Sequence, residues 1–206
     1  MHLYPISKSR LLLGGALLPA AVLLGFALAA SLPAQDKAQG KAPDKADDKT
    51  IEKLAPYYPT PEIIVDKMLQ FGGLKAGEKM FDLGSGDGRI VIMAARKYKA
   101  DATGVEFDDP LVKQSTEKIR TLGLSATAHI IHGDLLKQNY ASADLITVYL
   151  LPVGNDKLSP ILEKQLKKGT RIVAHDFEFS AWTPEKVQDI DDDGEGRSHR
   201  LYLYRR

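Results

Sequence analysis

Apolar positions recur at two periods along residues 54–206, and the two periods alternate. Thr60-Pro61 offers a capping hydroxyl and a proline suited to the first helical position. The stretch behind it, PEIIVDKMLQF, puts Ile64, Met68 and Phe71 on one helical face and stops at Gly72-Gly73. A short strand is expected at 79–83, then a helix at about 88–98 and a strand at 102–106. A second helix runs from near Asp109-Pro110 to Gly123, and a third strand lies at 127–132. DLITVYLL, at 144–151, is apolar nearly throughout, as in a central parallel strand covered on both faces. A helix over about 155–168 ends at Gly169, and TRIVAHDF supplies a fifth strand. EKVQDI and HRLYLYRR flank the turn DDDGEG as an antiparallel hairpin. Repeated strand–helix units predict an α/β fold, a doubly wound, mostly parallel sheet of seven strands ending in that hairpin. In such sheets ligands bind beyond the carboxyl ends of the strands, at the switch point.

The first 53 residues follow neither period. Lys8 and Arg10 precede an uncharged run over 11–35, and Ala27 and Ala29 form an A-x-A cleavage pattern. Residues 1–35 are expected to be either a cleaved signal peptide or a membrane anchor through 11–32. The side of the membrane stays open, because Lys37, Lys41, Lys45 and Lys49 follow the run. Residues 36–53 mix Lys, Ala, Asp and Pro and read as a flexible, solvated linker. About 150 residues remain, enough for one domain with its own core. A net charge of +1 gives no electrostatic case for nucleic acid. The chain has no cysteine, which excludes disulfides, thiolate metal sites and a cysteine nucleophile.

Candidate chemistry begins at 81–91, FDLGSGDGRIV. Glycines at 84, 86 and 88 directly after a strand mean a sharp turn or a ligand lying against bare backbone. A dinucleotide loop would need a third glycine where Arg89 stands, and no Gly-Lys-Ser/Thr of a P-loop follows. The spacing is instead D-x-G-x-G-x-G from Asp82 to Gly88. It resembles motif I of the class I S-adenosylmethionine-dependent methyltransferases. PYYPTP, GVEFDDPLV, YLLP and LKKGTRIVAHDF extend the resemblance over roughly 56–206. The chain is most similar to the small lysine methyltransferases of the ATP synthase c-subunit and adenine nucleotide translocase, and to their bacterial relatives. The resemblance implies a Rossmann-like domain over 54–206 that binds S-adenosyl-L-methionine. It assigns Tyr58, Thr60, Gly84, Ser85, Gly86 and Gly88 to the cofactor. Asp82 is expected at the amino end of its methionine moiety, Glu106 at the ribose hydroxyls and Asp134 at the adenine amino group.

Methyl transfer is an in-line displacement, so positioning carries much of the rate. A lysine acceptor must also lose its proton, which a dry, apolar mouth favours. Tyr149 and Asp176, with Asn155, fall near the ends of the fourth and fifth strands, where that mouth is expected. Tyr57, Tyr58 and Thr60 are expected to close over it. A protein acceptor is expected, with no nucleic acid and no metal. Two other readings are a small-molecule methyltransferase and a non-catalytic, membrane-tethered cofactor-binding module. His129 and His132 should point to opposite faces of their strand. Asp189, Asp191, Asp193 and Gly194 open like a calcium loop, but its twelfth position is Arg200, so a solvated turn is expected.

Overall fold

The computed structural model describes residues 54–206. The expected signal or anchor and the linker, residues 1–53, lie outside the described residues. Among the described residues the α-helices and strands alternate as α1 (Glu62–Phe71), β1 (Lys79–Leu83), α2 (Arg89–Tyr98), β2 (Asp101–Glu106), α3 (Asp109–Thr121), β3 (Ala128–His132), β4 (Leu145–Val148), α4 (Pro152–Gln165), β5 (Arg171–His175), β6 (Lys186–Ile190) and β7 (His199–Arg205). The strands form one seven-stranded sheet in the order β3-β2-β1-β4-β5-β7-β6. Strands β1 to β5 pair in parallel, while β7 runs antiparallel to both β5 and β6. The chain winds outward from β1 to β3, then returns to lay β4 on the other side of β1. The switch point is therefore between β1 and β4, above Leu83 and Val148.

Strand residues alternate between two apolar layers, which is why β4 is buried throughout. On one face Leu145, Val173 and Leu203 pack with Ile64, Met68 and Leu69 of α1 and Val91 of α2. On the other, Ile146, Val148 and Ile172 pack with Leu158 and Leu162 of α4 and with Phe179 and Tyr204. Each large apolar side chain buried this way contributes about 1.5–3 kcal/mol. Thr147 is the polar residue inside β4, and it is fully buried. Among the described residues no helix is long and apolar enough to cross a membrane.

Two local expectations change. Pro61, not Thr60, occupies the cap position of α1, and no side chain caps that helix. The Thr60 hydroxyl lies in the interior, 3.4 Å from His175 Nδ1. Helix α4 starts at Pro152 rather than at 155, with Leu151 as an unassisted cap. A leucine cap, Gly154 and an internal Pro160 hide that start from the sequence pattern.

Candidate active site

The glycine loop is tied to the exit of β2. Gly84 N and Ser85 N donate to Val105 O at 3.0 Å. The buried Glu106 carboxylate accepts from Gly86 N through Oε2 at 2.8 Å, and from Phe107 N and Asp108 N through Oε1 at 2.9 Å. Glu106 thus holds two turns in place before any ligand is considered. Gly88, with φ +75°, lies against α3, where an added Cβ would be 2.9 Å from Ser115 Cβ. It does not line the cleft beside the loop. The close helix packing for which a dinucleotide fold uses a glycine at position 89 is achieved here one residue earlier. Arg89 can therefore turn outward. It chelates Asp87 through Nε and Nη2 at 2.9 Å and donates to Thr60 O at 2.9 Å. Burial works against the Asp87 charge, but Arg89 outweighs it and holds the carboxyl below its usual range.

Residues 54–60 cross over the loop as a strap. The Tyr57 ring lies on Gly86, so close that a Cβ there would be 2.7 Å from Tyr57 Cε2. Tyr58 Oη accepts from Arg197. Beneath the strap is a cleft of about 890 Å³, open mouth included. Its walls bring together Tyr58, Thr60, Asp82, Gly84, Ser85, Gly86, Glu106, Asp134 and Tyr149. Of the expected site residues, Gly88, Asn155 and Asp176 are not on its wall. Asp134 also has a local role, because its Oδ1 accepts from Leu136 N at 2.8 Å at the start of the short 3-10 turn Leu135–Lys137.

The cleft is short of positive charge. Asp82 is buried beyond β1, and Thr147 Oγ1 donates to it at 2.8 Å. Burial pushes its carboxyl up to about 7; the Thr147 bond opposes this, while Glu106 and Asp87 add repulsion. Ser85 Oγ is buried there without a partner. With Asp87 already paired to Arg89, the carboxylates of Asp82 and Glu106 and an unpaired hydroxyl suit a ligand that carries a cation and hydrogen-bonding groups. A pH dependence follows. A cationic ligand group needs ionised Asp82, so affinity for a ligand with an amino group is expected to rise about tenfold per pH unit up to pH 7, then level off. Without ligand the sign reverses. The folded-state value is above the unfolded one, so the stability Asp82 contributes is present below pH 4 and lost as pH rises through 7. Calorimetry with S-adenosylhomocysteine and apo thermal melts, both at pH 5.5–8.5, check the two opposite slopes. An affinity flat across pH 7 would remove Asp82 from the amino end.

Beyond the cleft, Tyr149 stands at the end of β4. It lines both the cleft and an apolar groove formed with Ala55, Pro56, Tyr58, Leu150, Leu151 and Phe177. Burial, then Asp176, pushes its phenol up to about 12, so it remains a donor at neutral pH. Its hydroxyl is 3.3 Å from Asp176 Oδ2. Asp176 has φ +58°, unusual for a non-glycine residue, and sits behind Tyr149 beside His175 and His199. Asn155 turns away from the cleft and donates to Phe177 O at 2.9 Å. Asp193 belongs to the turn that the sequence marks as solvated, yet it is buried and bonded to His199, the first residue of β7. His175 and His199 give no signal in the sequence, and Asp193 only that of the calcium-like turn, because their side chains meet only through the order β5-β7-β6.

Known proteins resemble this chain over most of its described residues. A family model described as the ANTKMT methyltransferase domain matches residues 82–186. The chain is 38% identical over 150 residues to a protein-lysine N-methyltransferase of Saccharolobus islandicus, covering 72% of this chain and 92% of that protein. It is 32% identical to the Mus musculus lysine N-methyltransferase of the ATP synthase c-subunit, covering 63% of this chain and 52% of that protein, about half its length. A crystal structure of an RNA methyltransferase from Salinibacter ruber in complex with S-adenosyl-L-homocysteine superimposes with a TM-score of 0.66 at 38% identity, covering 72% of this chain and 93% of that one.

Proposed function

The chain belongs to the ANTKMT methyltransferase family and depends on S-adenosylmethionine, and from that premise we propose that it methylates a lysine amino group of a protein. The single observation that carries the acceptor assignment is the apolar groove opening at Tyr149 onto the cofactor cleft. A lysine side chain has a four-carbon apolar stem and a charged tip. Ala55, Pro56, Leu150, Leu151 and Phe177 match the stem and disfavour the charged tip, so the amine reaches the cleft more readily as a free base.

S-adenosylmethionine supplies, when bound, an electrophilic methyl group on a sulfonium. Asp82 would hold its amino group, and the lack of a cationic partner for Asp82 and Glu106 fits that cation. Glu106 has one acceptor position left beyond its three backbone donors, which is available to the ribose. Asp134, with Oδ1 committed to Leu136 N, would receive the adenine amino group through Oδ2. Tyr57 and Tyr58 shield the cleft from above and exclude water. The Tyr149 hydroxyl, held by Asp176, borders the passage between groove and cleft and orients the entering amine. No side chain needs to bond covalently to the methyl group.

The Salinibacter ruber structure raises RNA as a second acceptor. The groove in this chain is apolar where an RNA path would need cations, and net charge is +1. One experiment separates the two. The full chain is incubated with tritiated S-adenosylmethionine and soluble, membrane and RNA fractions. Membranes are included because of the apolar run at 11–35. Label is expected in a protein band, as methyllysine after acid hydrolysis. Label in RNA alone would overturn the lysine assignment. Label in no fraction, with S-adenosylhomocysteine still bound, would favour the non-catalytic module.

A further inference from the structure

His175, Asp176 and His199 bring three electron-pair donors to one point. His175 Nε2 and His199 Nδ1 are 2.9 Å apart. Asp176 Oδ2 lies 3.1 Å from His199 Nδ1 and 3.4 Å from His175 Nε2. The opposite nitrogens of both rings are anchored. His199 Nε2 is 3.2 Å from Asp193 Oδ2, and His175 Nδ1 is 3.4 Å from Thr60 Oγ1. The Asp193 side chain is fully buried and also bonded to Arg197 and to two backbone N–H groups, so it stays an acceptor. It can only receive a proton, which places a hydrogen on His199 Nε2; in the neutral imidazole the lone pair is then on Nδ1. That lone pair faces the Asp176 carboxylate at 3.1 Å. Protonating His175 on Nε2 relieves the contact between the rings but leaves this second acceptor–acceptor contact in place. Something positive belongs between them.

We propose that His175 Nε2, His199 Nδ1 and Asp176 Oδ2 bind a divalent first-row metal ion of the zinc type. In a tetrahedral site with ligands at about 2.0–2.1 Å, donor atoms are separated by about 3.3 Å. The three observed separations, 2.9, 3.1 and 3.4 Å, bracket that edge. Two imidazoles and one carboxylate with a position left over are a familiar donor set for such ions. Each histidine also has the oxygen partner on its far nitrogen that metal-bound imidazoles have, a carboxylate for His199 and a hydroxyl for His175. The positive φ of Asp176 brings its carboxylate to the same side as the neighbouring His175 ring, which an extended strand would not do. Both rings are buried, while the Asp176 side chain is 24% exposed and gives the ion a way in. The bound ion ties the strap at Thr60, the end of β5, the turn at Asp193 and the start of β7 to one point behind Tyr149. The sequence misses this site because two ligands are adjacent and the third is 24 positions on, unlike the close pairs of common zinc motifs.

The test uses the full chain, stripped with a chelator and titrated with zinc(II) in a calorimeter. One tight equivalent per chain is expected, with a raised thermal midpoint, and cobalt(II) in its place should give visible d–d bands. Asp176→Asn keeps the backbone preference for positive φ and is expected to lose the tight equivalent and the bands. His199→Ala should do the same, and Asp193→Asn should weaken binding about 10–100-fold. Uptake that Asp176→Asn retains in full would assign the metal to other histidines, such as the exposed His129, and overturn the proposal. No saturable uptake by the stripped parent chain would overturn it as well, and would leave a shared proton as the cation in the cluster.

Discussion

Replacing Glu106 by alanine is expected to lower affinity for S-adenosylhomocysteine at least a hundredfold and to lower the stability of the unliganded domain by about 2–3 kcal/mol. Both effects come from one carboxylate. It takes three backbone N–H groups, from Gly86, Phe107 and Asp108. Hydrogen bonds to a charged acceptor contribute about 1.5–3 kcal/mol each, and a buried donor left without a partner costs about 1–3 kcal/mol. Gly86 N is the donor that water replaces least well, since it lies in the buried turn under the strap. The ribose loses its acceptor and the glycine loop loses its tether together. Glu106→Gln keeps one carbonyl oxygen for Phe107 and Asp108 but can turn an N–H toward Gly86 N, so it should fall between parent and alanine on both measures. Urea unfolding and calorimetry on the same samples decide. An alanine variant that loses stability but binds normally would make Glu106 a turn acid only. One that binds and unfolds like the parent would remove it from the site.

This double duty shows where the sequence is a good guide and where it stops. The alternation of strand and helix is most readable at the central strands β4 and β5, which are covered on both faces, so their apolar runs are unbroken or nearly so, whereas the edge strand β3 is only partly buried. Motif I is readable because a turn with φ of +81°, +52° and +75° at 84, 86 and 88 admits little but glycine. The division of labour among those glycines is not readable. Gly86 faces the strap and Gly88 faces α3, and that depends on which element each Cα approaches. Thr60 looks like a helix cap because caps are local, but its hydroxyl points at a histidine 115 positions away. The hairpin is visible as two strands around a turn. Its insertion with β7 inside the sheet and β6 at the edge is not, and that insertion is what buries Asp193 and joins His199 to His175.

Gly86→Val is expected to abolish measurable methyl transfer while leaving a folded domain. The unliganded cost has two parts. At φ +52° a side chain meets its own backbone, for about 1–2 kcal/mol, and a β-branched one is worse placed than alanine. The second part is the collision with Tyr57 at 2.7 Å, which is cheap to relieve, because Tyr57 is 45% exposed and its strap can lift. The cofactor has no such freedom. It must meet the loop at the face where valine now projects, so binding should fall more than a hundredfold even after Tyr57 has moved. Gly86→Ala limits the strain and still places a methyl on that face. A displacement of about 1 Å at the reacting atoms costs about a hundredfold in rate, so its activity should fall further than its affinity. A double variant, Tyr57→Ala with Gly86→Ala, separates the two contacts. If the only obstacle is the tyrosine ring, the double variant recovers cofactor affinity together with the share of stability lost to the collision. If the bare backbone at 86 serves the ligand, the share of stability lost to the collision recovers, the strain of the positive φ stays and affinity does not recover, and this is the expected result. A Gly86→Ala protein with parental affinity and turnover would show that the glycine is there for the turn and for Tyr57 alone.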